Sequence, residues 1–192
     1  MYLYLIRHGQ SEANLVREYC GWGQVSLTEK GLADARRAGE LLKGIVFDKV
    51  YASDLRRAMQ TCETVLPGVR YEATPLLREL SIGSLQGITE EAAEEKYGQL
   101  HHDALHNSDF TPFGGENRQM ELDRTREFLK KLESCAENEI VAAFCHAGTV
   151  CCVLELALGA DFHYDHLVCS NGSVTVFEWT GSLWRLVKWN MT

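Results

Sequence analysis

The 192-residue chain is short of several features that would each settle a function class. It has no excess of positive charge. Its 19 Lys and Arg stand against 27 Asp and Glu, a formal net charge of −8, which excludes a general nucleic-acid surface but leaves room for a small, locally positive pocket. Its seven cysteines include no pair at C-x-x-C spacing, so a zinc ribbon and a thioredoxin-type motif are both excluded. The N-terminus has no basic segment followed by a cleavable apolar run, and none of the hallmarks of a signal peptide. The apolar-rich stretch at 140–158 is interrupted by His146 and Glu155, and reads as strand, loop and helix rather than a membrane span. No cysteine is followed six positions later by arginine, so the cysteine-phosphatase loop is missing. There is no G-x-S-x-G elbow and no G-x-x-x-x-G-K-[ST] phosphate loop. Repeats, low-complexity tracts and linkers are absent too, which predicts one domain over residues 1–192. The expectation is a cytoplasmic protein with reduced thiols, mostly buried as small apolar groups, and with neither a nucleic acid nor a membrane as partner. Nothing in the sequence sets an oligomeric state.

What is present alternates between strand and helix signals. "YLYLI" (2–6) and "IVAAFCH" (140–146) read as buried strands, "FDKVYAS" (47–53) as another, and "VRYEAT" (69–74) as a fourth, shorter candidate. Thr28 is placed to cap a helix running to about Lys43 and stopped by Gly44, with Leu27 and Leu32 as a hydrophobic staple and Leu32, Ala35, Gly39 and Leu42 as its apolar face. A helix follows from about Leu55 to Leu66, ended by Pro67-Gly68. Residues 88–107 read as helical. Asn117 can cap a long helix with Phe128, Leu129, Leu132 and Ala136 on one face. "TVCCVLELALG" (149–159) reads as a helix, and "SVTVFEW" and "LWRLVKW" as a terminal strand pair. Trp179, Trp184 and Trp189 read as sheet and core residues. This alternation implies an α/β fold, a three-layer α/β/α sandwich around a mostly parallel sheet.

In such sheets ligands bind beyond the carboxyl ends of the strands. The first strand runs straight into Arg7-His8-Gly9, where Gly9 would let the backbone turn sharply and lie close to a ligand. The "VAAFC" strand ends in His146, and the "KVYA" strand ends in Ser53 just ahead of Arg56 and Arg57. Two imidazoles and several guanidiniums at one rim, with helix N-termini nearby, describe an anion site suited to phosphate. A neutral imidazole can attack phosphorus, and arginines can stabilise the equatorial charge. A leaving alkoxide needs a proton, and Glu79 in "LLRELSIGSLQG" is the candidate acid. Taken singly, each of these residues would be ordinary: a hydrogen-bonded histidine, a solvated arginine, a surface carboxylate. Their shared location makes the case for chemistry. His101-His102 and His163-x-x-His166 could be imagined as metal ligands, but with no matching Cys or Asp arrangement they read as solvated or capping residues. Trp22 reads equally as a substrate contact or as packing under its loop.

At these residues the sequence resembles the histidine phosphatase superfamily, which includes the cofactor-dependent phosphoglycerate mutases. "LIRHGQSEAN", "CGWGQVSLTEKG", "ASDLRRAMQT", "ELSIGSLQG", "GGEN" and "CHAG" follow the family's order across residues 1–150. The resemblance implies a phosphoglycerate mutase-like fold in which His8 becomes phosphorylated. It implies that Arg7, Arg57 and His146 bind the phosphoryl group, with Arg57 chosen over Arg56. Glu79 would act as acid and then base, and Asn14 would contact phosphate. No cofactor and no metal are required. Asn117 stands where Ser is usual, and Gln10 where Glu is common.

The mutases resembled here carry a long insertion between the acid and the second histidine, and this chain has a short interval. A shorter cover leaves a phosphoenzyme open to water. The expectation is therefore hydrolysis of a small phosphorylated metabolite, in the manner of a broad phosphatase or an α-ribazole-phosphate phosphatase. Residues 88–113 would form the substrate-side cover. Phosphoglycerate mutase-like transfer is the alternative. A non-catalytic phospho-metabolite-binding protein is an alternative of another class, and a metallohydrolase built on His8, His146 and Glu79 is a fourth.

Overall fold

The computed structural model describes residues 1–134, 138–159 and 167–192. His163, His166 and Ala136 lie outside them. In chain order the elements are β1 (Tyr2–Arg7), α1 (Glu12–Val16), α2 (Glu29–Leu41), β2 (Lys49–Ser53), α3 (Arg56–Val65), β3 (Glu72–Thr74), α4 (Glu90–Tyr97), α5 (Gln99–Asn107), α6 (Arg118–Glu133), β4 (Ile140–Cys145), α7 (Ala147–Leu158), β5 (Val174–Trp179) and β6 (Trp184–Met191). Single 3-10 turns occupy Pro75–Leu77, Gly83–Leu85 and Thr111–Phe113.

One six-stranded sheet runs in the order β3-β2-β4-β1-β5-β6. The pairs β1–β4, β2–β4 and β2–β3 are parallel, and β1–β5 and β5–β6 are antiparallel. Side chains of a strand point alternately to its two faces, and the core divides accordingly. Leu3, Leu5, Val141, Ala143 and Phe177 pack on α6 and α7 through Phe128, Leu129, Leu132, Val150 and Val153. Ile6, Ala142, Phe144, Val174 and Val176 pack on α2 and α3 through Ala35, Ala38, Cys62 and Val65. The sheet is therefore the middle layer of three, as the strand–helix alternation implies. A third cluster, comprising Leu80, Ile82, Leu85, Ala93, Ala104, Phe110 and Phe113, holds α4 and α5 over one end of the sheet.

Several local readings hold in detail. Thr28 caps α2 by accepting from the Gly31 amide, and Asn117 caps α6 by accepting from that of Met120. Others shift. Of the expected α2 face, Ala35 and Leu42 are buried, Leu32 and Gly39 are only half-buried, and Gly31, Asp34 and Ala38 join the buried side. Strand β3 is only three residues, because Val69 turns back to bond the Leu66 carbonyl. The helical reading of 88–107 resolves into α4 and α5, divided at Gly98, whose φ of +47° favours glycine. Helix α7 begins at Ala147, two residues earlier than its sequence signal, so that His146 is its N-cap residue. Gly9 is required by packing on the start of α2. A Cβ there would lie 2.1 Å from the Gly31 carbonyl oxygen, and one on Gly31 would lie 2.0 Å from that of Gln10. The two glycines let the start of α2 pack directly on the backbone that follows β1. The cysteines at 62, 145, 151, 152 and 169 are buried, and Cys20 is half-buried. Trp184 is buried, and Trp179 and Trp189 pack partly buried against the same core.

Among the described residues no helix is long and apolar enough to cross a membrane.

Candidate active site

Strands β1 and β4 are parallel neighbours, with Arg7 opposite Cys145 at their carboxyl ends. The next residue of each chain segment is a histidine. The topology therefore sets His8 and His146 side by side, with ring centroids 5.1 Å apart at 61°. Both rings are buried, and His146 is fully so.

The hydrogen bonds of His8 settle its tautomer. Nδ1 lies 2.7 Å from the Gly9 carbonyl oxygen, which can only accept, so Nδ1 carries the hydrogen. Nε2 accepts from Arg57 Nε at 3.2 Å, so the lone pair is on Nε2. Burial holds the His8 pKa well below 6.5, and the charges of Arg57 and Arg7 lower it further against a smaller opposing effect of the Gly9 carbonyl. The ring is thus neutral at physiological pH, the form able to act as a nucleophile.

Arg57, at 2% exposure, leaves the first turn of α3 and enters a ring of acceptors on residues 20–23. Nη1 donates to the Gly23 carbonyl at 3.0 Å and faces Cys20 Sγ at 3.3 Å, and Nη2 donates to the Gly21 carbonyl at 2.9 Å. Its fork is therefore used largely to hold its own position. Arg56 is exposed, and its backbone amide donates to Gln24. Arg7 donates through Nη1 to the Cys169 carbonyl, and its Nε is buried without a hydrogen-bond partner among the described residues.

His146 is anchored by Ser53 at the end of β2, whose Oγ lies 2.9 Å from Nε2, and its Nδ1 is buried without a hydrogen-bond partner among the described residues. Burial, then Arg57 and His8, hold the pKa of this ring well below 6.5 as well. Glu79 stands on irregular chain, half-buried. Its Oε1 accepts the Leu80 amide at 3.0 Å, and its Oε2 accepts the Gly148 amide at 3.4 Å, at the N-terminus of α7. Asn14 completes a capping box on α1 with Ser11, using its Oδ1.

Arg7, His8, Asn14, Arg57 and Glu79 line one cleft of about 280 Å³, together with Ser11, Glu18, Tyr19, Cys20, Gly21, Leu80, Ile82, Phe110, Ala147 and Gly148. Of the sequence-derived candidates, only His146 is not on its surface. It packs edge-on against the His8 ring. A basic, imidazole-bearing floor with a carboxylate on the wall suits a phosphoryl group and an adjacent proton transfer. Phe110 brings the 88–113 segment to the cleft. A larger cavity of about 720 Å³ adjoins it, sharing Tyr19, Leu80 and Phe110, and carries Glu90, Glu91 and Glu94 on its wall.

Other residues were invisible as a site in sequence. His101 is not solvated: at 3% exposure it sits between Tyr19 Oη, 2.8 Å from Nε2, and Glu94, 3.1 Å from Nδ1. His102 is exposed and bonds the same carboxylate at 2.8 Å. Trp22 proves to be packing rather than a cleft residue. Arg78 lies over its ring at 4.5 Å, and its Nε1 donates to the Glu79 carbonyl at 2.7 Å. Asn171 donates to the His8 carbonyl at 3.1 Å. Gln10 is structural, its Oε1 accepting from Thr28 at 2.9 Å. Among the described residues no three His, Cys, Asp or Glu side chains come together as a metal-binding group.

The sequence pattern of the histidine phosphatase superfamily (branch 1) matches residues 3–192. A 2,3-bisphosphoglycerate-dependent phosphoglycerate mutase of Azorhizobium caulinodans is 42% identical over 123 residues, 60% of each chain, so the match spans under two thirds of that relative's length. Among solved structures, a mycobacterial glucosyl-3-phosphoglycerate phosphatase superposes with a TM-score of 0.88 at 26% identity, over 100% of this chain and 99% of that one. An Escherichia coli protein proposed as an alpha-ribazole-5'-P phosphatase superposes with a TM-score of 0.88 at 23% identity, over 99% and 96%, a likeness of fold alone.

Proposed function

This chain belongs to the histidine phosphatase superfamily, branch 1, and on that footing we propose that it hydrolyses a small phosphomonoester through a phosphohistidine at His8. The observation that carries the reading is the neutral His8 ring, its Nε2 lone pair directed at Arg57 within a cleft that also holds Glu79.

In the first step the Arg57 Nε hydrogen leaves His8 Nε2 for the phosphoryl group, and the freed Nε2 lone pair attacks phosphorus as the bond to the leaving oxygen breaks. Glu79, as the carboxylic acid, gives that oxygen its proton and the alcohol departs. In the second step water attacks phosphorus, Glu79 takes its proton, and the N–P bond breaks to release inorganic phosphate and restore the ring. Arg7, Arg57 and Asn14 supply donors to the phosphoryl oxygens. His146, packed edge-on against the His8 ring and held by Ser53, supports the nucleophile's ring, while the guanidiniums meet the charge as it builds. These steps draw on no metal ion and no cofactor.

Hydrolysis is favoured over transfer by the short chain between Glu79 and His146, and by full-length similarity to a phosphatase. The mutase name of a 42%-identical relative favours the second reading, isomerisation of phosphoglycerate. A broad substrate range, α-ribazole phosphate included, and a cytoplasmic location complete the proposal. The test is turnover of an aryl phosphate in the presence of a chelator by the protein and by His8→Ala, with acid-sensitive phosphohistidine sought in quenched mixtures. Undiminished turnover by the variant would refute the reading. Rapid isomerisation of phosphoglycerate with negligible phosphate release would replace it with the mutase reading. Anion binding with no turnover of any ester would replace it with a sensor.

A further inference from the structure

The carboxyl assigned as acid and base sits on chain with no ladder to place it: residues 78–82 belong to no helix or strand. An acid must nevertheless be held within a fraction of an ångström of the departing oxygen to be effective. Trp22 Nε1 holds the Glu79 carbonyl at 2.7 Å and Thr149 Oγ1 those of Leu77 and Arg78 at 3.1 and 3.3 Å, and one guanidinium adds a charged clamp across the same stretch. Arg124, on α6, donates to the carbonyl oxygens of Leu76 at 3.4 Å, of Arg78, and of Glu79 itself at 2.9 Å. Glu116, just ahead of α6, grips Arg124 through Oε1 to Nε at 3.1 Å and Oε2 to Nη2 at 3.2 Å. The same Oε2 accepts the Ser81 amide at 2.9 Å, and the Glu116 amide donates to the Ser81 carbonyl at 2.8 Å. The pair therefore fastens the chain on both sides of Glu79. The two side chains are only 13% and 10% exposed. Burying an ion pair is a poor way to stabilise a fold, because desolvation offsets the attraction. Three carbonyls and an amide aligned around one residue are well suited to aiming that residue.

We propose that Arg124, held by Glu116, is a positioning residue for Glu79. It does not line the cleft, so it acts through the backbone rather than on the phosphoryl group. The inference rests on the phosphatase reading above. In that reading the electron pair of the breaking P–O bond moves to the departing oxygen, and the Glu79 proton follows it. A misplaced Glu79 matters most when that oxygen is strongly basic, and scarcely at all when the leaving group is stable as an anion.

The experiment measures kcat/KM for an alkyl phosphate, phenyl phosphate and dinitrophenyl phosphate with the unsubstituted protein, R124Q, R124K, E79Q and the R124Q/E79Q double variant. R124Q is expected to lose roughly 30-fold with the alkyl ester and less than about threefold with the dinitrophenyl ester, since general-acid assistance is worth most where the leaving group is poorest. R124K recovers part of the loss. R124Q adds nothing to E79Q, because residues acting through one group are not additive. An equal loss across all three esters, or an additive loss in the double variant, would make Arg124 a scaffold residue and overturn the proposal. Should circular dichroism show R124Q unfolded, E116Q carries the same test by loosening Arg124 while keeping the side chain's shape. A leaving-group-dependent loss supports the proposal and a uniform one overturns it. No turnover of any ester by the unsubstituted protein would defeat the phosphatase reading itself, and this inference with it.

Discussion

Arg57 donates its Nε hydrogen to His8 Nε2 across 3.2 Å, while the other ring nitrogen of His8 is held by the Gly9 carbonyl at 2.7 Å. One bond fixes the tautomer, and the other marks the lone pair that faces the cleft. A ring so held needs no change of tautomer and no proton loss before it attacks, and the Arg57 bond must open to hand the Nε2 lone pair to phosphorus.

Arg57→Ala should lower kcat/KM by roughly 100-fold or more, on the order of 3 kcal/mol of transition-state binding. Arg57→Lys should restore little of it, since a single ammonium cannot meet the carbonyls of Gly21 and Gly23 and His8 together. Steady-state kinetics with an aryl phosphate checks both. A loss under tenfold for the alanine variant would contradict the role given to the guanidinium.

Because burial and two arginines depress the pKa of His8, the nucleophile stays neutral as pH falls through 6.5. The acidic limb of kcat/KM that reports protonation of the free enzyme's imidazole should therefore lie below pH 6.5. Stability follows the same sign. In the unfolded chain His8 and His146 bind protons near pH 6.5, and in the folded chain they bind them only at lower pH. Their contribution is complete above the unfolded value and is lost as pH falls from there towards the folded values. Urea midpoints measured from pH 8 to pH 5 should decline below about 6.5, and the decline should be shallower in His146→Gln.

Ser53→Ala removes the hydrogen-bond partner that the buried His146 ring has among the described residues. The expected cost is about 1–3 kcal/mol of stability, read from the urea midpoint, together with a fall in kcat as the ring packed against His8 is freed. Unchanged stability and turnover would show that Ser53 does not set the ring.

Gly31→Ala would drive a methyl to 2.0 Å from the Gln10 carbonyl oxygen. Because the clash is with backbone, no rotamer relieves it, and a loss of at least about 2 kcal/mol is expected by thermal or chemical unfolding. Gly44→Ala is the control for space, since nothing lies within 4 Å of a Cβ there. Its φ of +84° means that any cost would come from backbone strain alone.

Much of this arrangement is legible from one strand to the next. Apolar runs mark β1 and β4, the shorter Val50-Tyr51-Ala52 marks β2, and Thr28 and Asn117 mark their helices as caps, because these signals depend on neighbours close in sequence. The extension of the α2 face to Gly31 and Asp34 was not legible. It is imposed by backbone packing on the chain after β1, and periodicity carries no record of a partner elsewhere in the sequence. His101 looked solvated because its partner Tyr19 lies 82 residues away in sequence.

Local sequence by itself determined the alternation of strand and helix, the histidine waiting at the end of each of two strands, and the residue types able to meet a phosphate. Tertiary structure alone decided that β4 lies beside β1, bringing the two rings within 5.1 Å. It also decided which nitrogen of His8 bears the lone pair, and that Arg124, 45 residues beyond Glu79, holds that residue's carbonyl. The division has a physical cause: propensity and capping act over a few residues, whereas tautomers, burial and aim are set by whatever the folded chain brings across the gap.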